Sequence, residues 1–488
     1  MTPPPFPDPH ATAADPDVRV DLAAVARVHI IGLGGAAMQA IASVLAAMGK
    51  TVSGSDLRES TGLERLRAAG VTVAVGHDAA NVPAEVDLVA VSTAIPERNP
   101  ELREARRRGI PVASRSAAVA AIAAERRAVA VAGTHGKTTT SSMLALILAE
   151  AGLRPSFIIG GEVTAMGTGA VWDDGDLFVV EADESDGMFL DLPRHAAVVT
   201  NLEPDHLEHW GDFAGLQAAF VEFLAGTPGP AVVCADDPGA AALAEGTHAL
   251  TYGTDAGARY RMVDLDRSRR GTSFTLHDGD TVLGTVSLPI LGEHNARNAC
   301  AAVVMALQLG APFEACREAM ARFAGVARRF QHRGEVGGVT FVEDYAHLPT
   351  EVAHAALGAA RDGGWDRIVC VFQPHRYSRT ASLWSTFADA FVGADVLVVT
   401  DVYPSGEAPR PGVSGKLIVD AVLGAHPWQR VAYLPHRADV VAFLEHELRP
   451  GDLCLTLGAG DITTLPDELM ARRRRAGGAG RPADGLAG

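Results

Sequence analysis

Gly133-Thr-His-Gly-Lys137-Thr138-Thr-Thr140, set between the apolar run Ala128–Ala132 and a helical stretch Thr138–Glu150, decides how this chain is read. A buried strand, a glycine turn and a helix start together make a phosphate loop: backbone N–H groups cradle phosphates, a lysine reaches the β/γ oxygens and a threonine hydroxyl meets Mg²⁺. Gly133, Thr134, His135, Gly136, Lys137, Thr138 and Thr139 are therefore the candidate ATP contacts. The loop departs once from G-x-x-x-x-G-K-[ST], because Val131 stands at the first glycine. Of the 42 basic residues only Lys50, Lys137 and Lys416 are lysines. A lysine that persists in so arginine-rich a chain marks a place where a compact ammonium is wanted. The competing reading, a glycine turn needed only for packing, leaves that lysine unexplained.

Outward from the loop, short apolar runs alternate with helical stretches. Upstream lie Val28–Ile31, Thr51–Gly54, Val71–Val75 and Val86–Val91, with Gly49, Gly70 and Gly109 as helix stops and Asn99-Pro100 as a helix start. Downstream come Phe178–Val180, Ala196–Thr200 and Ala231–Cys234, then short antiparallel strands over 259–288 with a turn at Asp278-Gly279. A third series holds Thr340–Glu343, Ile368–Phe372, Val396–Val399 and Leu453–Leu457. The pattern predicts an α/β chain of three domains: a Rossmann-like domain over 21–125, a central P-loop domain over 126–331 and a second Rossmann-like domain over 332–468. A proline-rich arm (1–20) and an arginine-, glycine- and alanine-rich tail (469–488) are expected to be flexible and disordered.

The length of 488 residues, 48% hydrophobic and 21% charged, suits several buried cores. The net charge of −17 disfavours nucleic acid or an anionic membrane as main partner. Five scattered cysteines without a CxxC pair argue against a disulfide framework and fit a reducing cytosol. No run reaches the ~20 apolar residues of a membrane span, and no signal-peptide layout is present. A cytoplasmic enzyme, monomeric or weakly dimeric, is the expectation.

Other motifs follow strand ends, where parallel sheets place their ligands. Gly32-Leu-Gly34-Gly35-Ala-Ala37 with Asp56 satisfies a dinucleotide fingerprint, chemistry that serves a UDP-sugar as well as NAD; close packing alone is the alternative. Glu181 and His206 follow two central strands and are candidate Mg²⁺ ligands beside Thr138; singly, each reads more often as a solvated loop residue, and their shared position at the sheet edge reverses that. Asn295 and Asn298 share a helix face and could bond an adenine edge, or simply cap the helix. Asp344, His347, His375, Arg376 and Arg379 follow third-domain strands and suit capture of a carboxylate, which arginine holds bidentately. Arg328-Arg329 could set a cation on a γ-phosphate.

With G-T-H-G-K-T-T-T (133–140), E-A-D-E-S-D (181–186), N-L-E-P-D-H (201–206), H-N-A-R-N-A (294–299), A-R-R-F (327–330), D-Y-A-H-L-P-T-E (344–351) and P-H-R-Y-S-R-T (374–380), the chain resembles the Mur ligase family over nearly its whole length. The resemblance implies ATP-dependent joining of L-alanine to the lactyl carboxylate of UDP-N-acetylmuramate through an acyl phosphate, in peptidoglycan precursor synthesis, with ATP and Mg²⁺ (two ions, Mn²⁺ able to substitute). It implies Lys137, His206, Arg329 and His347 as catalytic. It adds Asn295, Asn298, Arg329 and Asp344 as nucleotide contacts, and Gly32, Gly34, Gly35, Asp56, Ser92 and Thr93 as the UDP-sugar site. His347, His375, Arg376 and Arg379 hold the amino-acid carboxylate, and Thr138, Glu181 and His206 the metal. Two departures stand out: G-L-G-G-A-A-M where the family's alanine branch more often has G-G-x-G-M, and Leu348 where a second histidine usually follows His347. A same-family ligase for recycled tripeptide is the nearest rival. A nicotinamide-dependent dehydrogenase or a UDP-sugar sensor would leave Lys137, Glu181 and His206 without a role. Relatives that carbamylate a lysine on the helix near Phe213–Leu224 have Phe220 as the counterpart here, and no lysine lies between Lys137 and Lys416.

Overall fold

In this computed structural model, residues 14–15, 18–92, 94–268 and 270–478 are described. Three sheets form. The first runs Thr72–Val75, Thr51–Asp56, Arg27–Ile31, Leu88–Val91, Val112–Ser114, all parallel. The second has ten strands, in the order Thr281–Leu288, Gly271–Asp278, Tyr260–Ser268, Leu250–Gly253, Ala231–Cys234, Ala196–Val199, Arg127–Ala132, Leu177–Glu181, Ser156–Val163, Thr168–Val171. The third runs Gln331–Val336, Val339–Asp344, Asp452–Leu457, Arg367–Phe372, Val396–Val399, Val431–Tyr433.

The strands that the sequence marks are the buried centres of these sheets. Val129 to Ala132, Val179, Val198 and Val232 are inaccessible to water, which is why they read as unbroken apolar runs. Most strands that escape the pattern are short or at edges, such as Val112–Ser114, Thr168–Val171 and Val431–Tyr433; the eight-residue Ser156–Val163, inside the second sheet, escapes it because its second half is partly exposed. Helix ends follow their punctuation. Asn99 Oδ1 accepts from Glu101 N (2.9 Å) and Leu102 N (3.2 Å), with Pro100 opening the helix. The hairpin between the last two strands of the second sheet turns at Gly279, at φ 54°.

By packing, the chain forms two units. One holds the first sheet and most of the second, through Asp264 with Phe274–Val286 and Arg297–Phe323; the other comprises Leu265–Ser273, Ser287–Ala296 and the chain from Ala324. Within the described residues, parts of both terminal segments are more ordered than the composition suggests. In the arm, Ala14 is buried against the first core with Ile31, Val89 and Val112, and Asp15 N donates to Val112 O (3.0 Å). The rest of the arm up to residue 13 lies outside the described residues. The expected disordered tail is corrected over 469–478, which belong to the helix Leu465–Gly478. Leu465, Leu469 and Met470 bury one face of that helix in the third core, while Arg472 pairs with Glu445 and Glu468. The arginine run is thus largely the polar side of an amphipathic helix. Residues 479–488 are outside the description. Among the described residues no helix is long and apolar enough to cross a membrane.

Candidate active site

Strand Arg127–Ala132 lies between Leu177–Glu181 and Ala196–Val199, all parallel, so their C-terminal ends share one edge. The phosphate loop leaves this edge and opens the helix Lys137–Glu150. Gly133 (φ 122°) and Gly136 (φ 81°) hold backbone conformations that side chains resist. A Cβ on Gly133 would come 2.2 Å from Thr200 Oγ1, and one on Gly136 2.6 Å from Asn298 Oδ1. The loop is clamped to the neighbouring strand end. His135 N donates to Asn201 Oδ1 (2.8 Å), Thr200 Oγ1 and Asn201 Nδ2 donate to His135 O (2.6 and 3.0 Å), and Glu203 N donates to Thr134 Oγ1 (2.9 Å). This is a preformed anion cradle at a helix N-terminus.

Lys137 Nζ reaches Gly133 O (2.6 Å) and both Glu184 oxygens (3.0 and 2.9 Å). Burial would lower the ammonium's pKa, but Glu184, then Asp183 and Glu181, outweigh it and hold it above the ordinary value. Burial pushes the Glu184 carboxyl up against the Lys137 charge, whereas Lys137 and Arg115 overcome burial to keep Asp183 strongly depressed. Arg115, opening the helix after the last strand of the first sheet, pairs with Asp183 at 3.2 Å. Thr138 Oγ1 donates to Glu181 Oε2 (3.0 Å), so two hard oxygen donors meet beside the lysine.

His206 opens the short helix Leu207–Trp210 with φ 53°, its Nε2 3.5 Å from Asp205 Oδ2. Trp210 Nε1 of that helix donates to Glu184 O (3.0 Å), which links the His206 segment to the lysine's partner. Trp210 packs edge-on to Phe189, which also contacts Phe220 and Phe223. Phe220 is thus fully buried in an aromatic core. Among the described residues no group of three or more His, Cys, Asp or Glu side chains is placed to hold a metal ion. The oxygen pair Thr138–Glu181 suits Mg²⁺, which needs few protein ligands and keeps several waters. On the helix Glu293–Gln308, Asn298 faces the phosphate loop through Gly136, and Asn295 Nδ2 donates to Leu291 O (2.6 Å), a local backbone bond.

In the first sheet, Gly32, Gly34, Asp56 and Ser92 meet at the strand ends. Gly34 N donates to Asp56 Oδ2 (2.8 Å), and a Cβ on Gly32 would come 2.9 Å from Ser92 Cβ. Gly35 precedes the helix Ala36–Ala47. Thr93 lies outside the described residues.

In the second unit, Asp344 accepts from Phe330 N and Ala346 N, both at 2.7 Å, and Arg328 and Arg329 flank the Tyr345 ring at 4.7 and 5.0 Å. His347 meets His375 edge to face at 5.8 Å; His375 stacks on Tyr403 and approaches Arg379 (3.2 Å). Burial first, then His347 and the charges of Arg379, Arg376 and Arg328, push His375 down to about 3; burial also lowers His347. Arg376 and Arg379 beside these imidazoles offer cations suited to an anion. Leu348, in place of a second histidine, is buried, and Glu351 accepts from the N–H groups of both His347 and Leu348.

Burial raises Asp344 to about 6, against the pull of Arg329 and its two N–H donors. The sign follows: between about pH 4 and 6 the folded chain binds more protons at this group than the unfolded chain, so its contribution to stability falls as pH rises through that window. The difference in melting temperature between wild type and Asp344→Asn is expected to shift towards the variant from pH 4.5 to 7. A pH-independent difference would contradict the burial of this carboxyl.

Sequence reasoning missed Glu184, Asp183 and Arg115 as members of the phosphate-loop site. The E-A-D-E-S-D run contained the first two, but nothing local distinguished their carboxylates from solvated ones.

Comparison with known proteins bears on all three sheets. Family models described as "Mur ligase family, catalytic domain", "Mur ligase middle domain" and "Mur ligase, glutamate ligase domain" match residues 27–127, 131–306 and 328–460. The UDP-N-acetylmuramate–L-alanine ligase of Anaeromyxobacter dehalogenans is 45% identical over 455 residues, covering 92% of this chain and 98% of its own. That of Acidothermus cellulolyticus is 47% identical over 460 residues, covering 92% and 95%. Among solved structures, UDP-N-acetylmuramate-alanine ligase from Thermotoga maritima superposes with a TM-score of 0.78 at 28% identity, covering 92% of this chain and 99% of that one. A murein peptide ligase from Psychrobacter arcticus gives 0.68 at 24% identity, covering 92% and 98%, a likeness of fold. With matched models on each sheet and relatives near half identical along nearly its whole length, the chain belongs to the Mur ligase family.

Proposed function

We propose that this chain joins L-alanine to the lactyl carboxylate of UDP-N-acetylmuramate in an ATP-dependent reaction, as an enzyme of peptidoglycan precursor synthesis. A carboxylate oxygen attacks the γ-phosphorus of ATP and ADP leaves; the alanine amine then attacks the acyl phosphate carbon, losing a proton as phosphate departs. Catalysis of this kind rests on positioning and on cations around the phosphoryl group. The observation that carries the reading is the phosphate loop: clamped to Thr200 and Asn201, with Lys137 at its centre and Thr138 against Glu181. The relatives' shared name supports the choice of substrates. Five buried free cysteines suit a cytoplasmic setting.

The division of labour follows the sheets: residues 21–125 for the UDP-sugar, 126–331 for ATP and 332–468 for the amino acid. Lys137 and Arg329 offset phosphoryl charge, and Arg376 and Arg379, with His347 and His375, hold the alanine carboxylate. Thr138, Glu181 and His206 are the side chains to hold Mg²⁺, which supplies charge neutralisation at the phosphates when bound. The direct test is phosphate release from ATP with UDP-N-acetylmuramate, with and without L-alanine. Release that ignores L-alanine, or that a murein tripeptide stimulates better, would overturn the assignment.

Arg376→Ala and Arg379→Ala are expected to weaken L-alanine use far more than UDP-N-acetylmuramate binding. Unchanged kcat and KM for L-alanine in either variant would remove that arginine from the carboxylate site. His206→Ala should raise the Mg²⁺ requirement sharply, and added bicarbonate should leave wild-type activity unchanged, because Phe220 offers no amine to carbamylate. A His206→Ala enzyme with the wild-type Mg²⁺ titration, or activation by bicarbonate, would show the metal ligands to be misassigned.

A further inference from the structure

Beneath the first glycine loop lies a buried polar cluster that none of the roles above uses. Glu101 is fully inaccessible, yet it accepts five hydrogen bonds. Its Oε2 takes Ser55 Oγ (2.6 Å) and His29 Nε2 (2.9 Å); its Oε1 takes Asn81 Nδ2 (2.9 Å), His77 Nδ1 (3.2 Å) and Asp78 N (3.2 Å). The network holds the carboxyl down at about 2 despite its burial, so it is ionised at working pH. A buried carboxylate of this kind tolerates no missing partner.

Its partners are the supports of the loop above. The Ser55 carbonyl accepts from Gly32 N (3.0 Å) and Leu33 N (2.9 Å), and the next residue, Asp56, holds Gly34 N. Across the cleft, Asn81 Nδ2 also donates to Gly76 O (3.0 Å), and Gly76 N donates to Asp56 O (2.7 Å). One carboxylate therefore joins the strand end Ser55–Asp56 to the segment Gly76–Asn81. It also fixes the proton at one histidine nitrogen. Ser55 Oγ gives its proton to Glu101, so it can only accept from His77 Nδ1, 3.0 Å away. Both neighbours of that nitrogen are acceptors, so Nδ1 carries a proton and the ring is held in one orientation.

We propose that Glu101 is a positioning residue for the UDP-sugar, which fixes the Gly32–Gly35 loop through Ser55 and orients the His77 ring. The inference rests on the reading of the first sheet as the UDP-sugar site. Glu101→Gln keeps the shape but turns an amide NH₂ towards a cluster of donors. The full-length variant is expected to bind UDP at least tenfold more weakly by calorimetry and to show a matching rise in KM for UDP-N-acetylmuramate. The KM for ATP should stay within twofold of wild type. Ser55→Ala, which cuts only the link to the loop, should weaken UDP binding in the same direction. Glu447→Gln removes a comparably buried carboxylate from the third sheet, where Glu447 pairs with Arg367 and Arg430, and should lower the melting temperature without altering UDP affinity. Wild-type UDP affinity in folded Glu101→Gln, or in Ser55→Ala should the former not fold, overturns the inference alone. A wild-type chain that binds no UDP overturns the reading of the site and the inference with it.

Discussion

Lys137→Ala is expected to abolish ligation. In the proposed reaction the ammonium meets the β/γ oxygens, on a loop that Thr200 and Asn201 hold in place together with the lysine's own bond to Gly133 O. Removing a cation aimed at the transferring phosphoryl should add several kcal/mol to the barrier, each ~1.4 kcal/mol being a factor of ten in rate. The structure adds a complication, because Lys137 is also the partner of the buried Glu184. Truncating the lysine leaves that carboxylate without its counter-charge, so the variant should melt lower as well as lose activity. Lys137→Ala with Glu184→Gln separates the two effects: stability should recover and activity should not. More than about a tenth of wild-type turnover in the single variant, or recovered turnover in the double, would show that this loop is not the phosphate site.

The contrast between Lys137 and Glu184 shows what the sequence can and cannot disclose. Lys137 is legible because its neighbours in the chain, a strand, two glycines and a helix start, define its surroundings by themselves. Glu184 lies 47 positions away, and it becomes a partner only because its strand is the spatial neighbour of the loop strand. The same holds for Glu101, whose five donors come from three separate segments. Central strands were legible because burial on both faces writes an unbroken apolar run. Edge strands such as Thr168–Val171 were not, since partial exposure mixes their residues. The tail misled because arginines dominate its composition, whereas Leu465, Leu469 and Met470, at helical spacing, decide its structure. Asn298 shows a third case. Its sequence position suggested a nucleobase contact, and the fold also sets its amide against the loop that would hold the phosphates.

That placement makes Gly136→Ala the second large effect. The residue combines φ 81° with an amide oxygen 2.6 Å from where its Cβ would stand. The left-handed conformation alone costs an alanine roughly 1–2 kcal/mol. The collision is harder to relieve, because Asn298 is 7% exposed and has little room to withdraw. The loop must therefore move, and with it the N–H groups that open the helix Lys137–Glu150. A displacement of about 1 Å at such a cradle can cost on the order of a hundredfold in rate. Gly136→Ala should raise KM for ATP and lower kcat, while affinity for UDP, bound on another sheet, stays at the wild-type value. Adding Asn298→Ala should restore part of the loss, since it removes the collision and leaves the backbone strain. Gly136→Ala with wild-type ATP kinetics would mean that the loop tolerates a Cβ and that its geometry does not set the phosphate position; no recovery in the double variant would place the whole effect in the backbone.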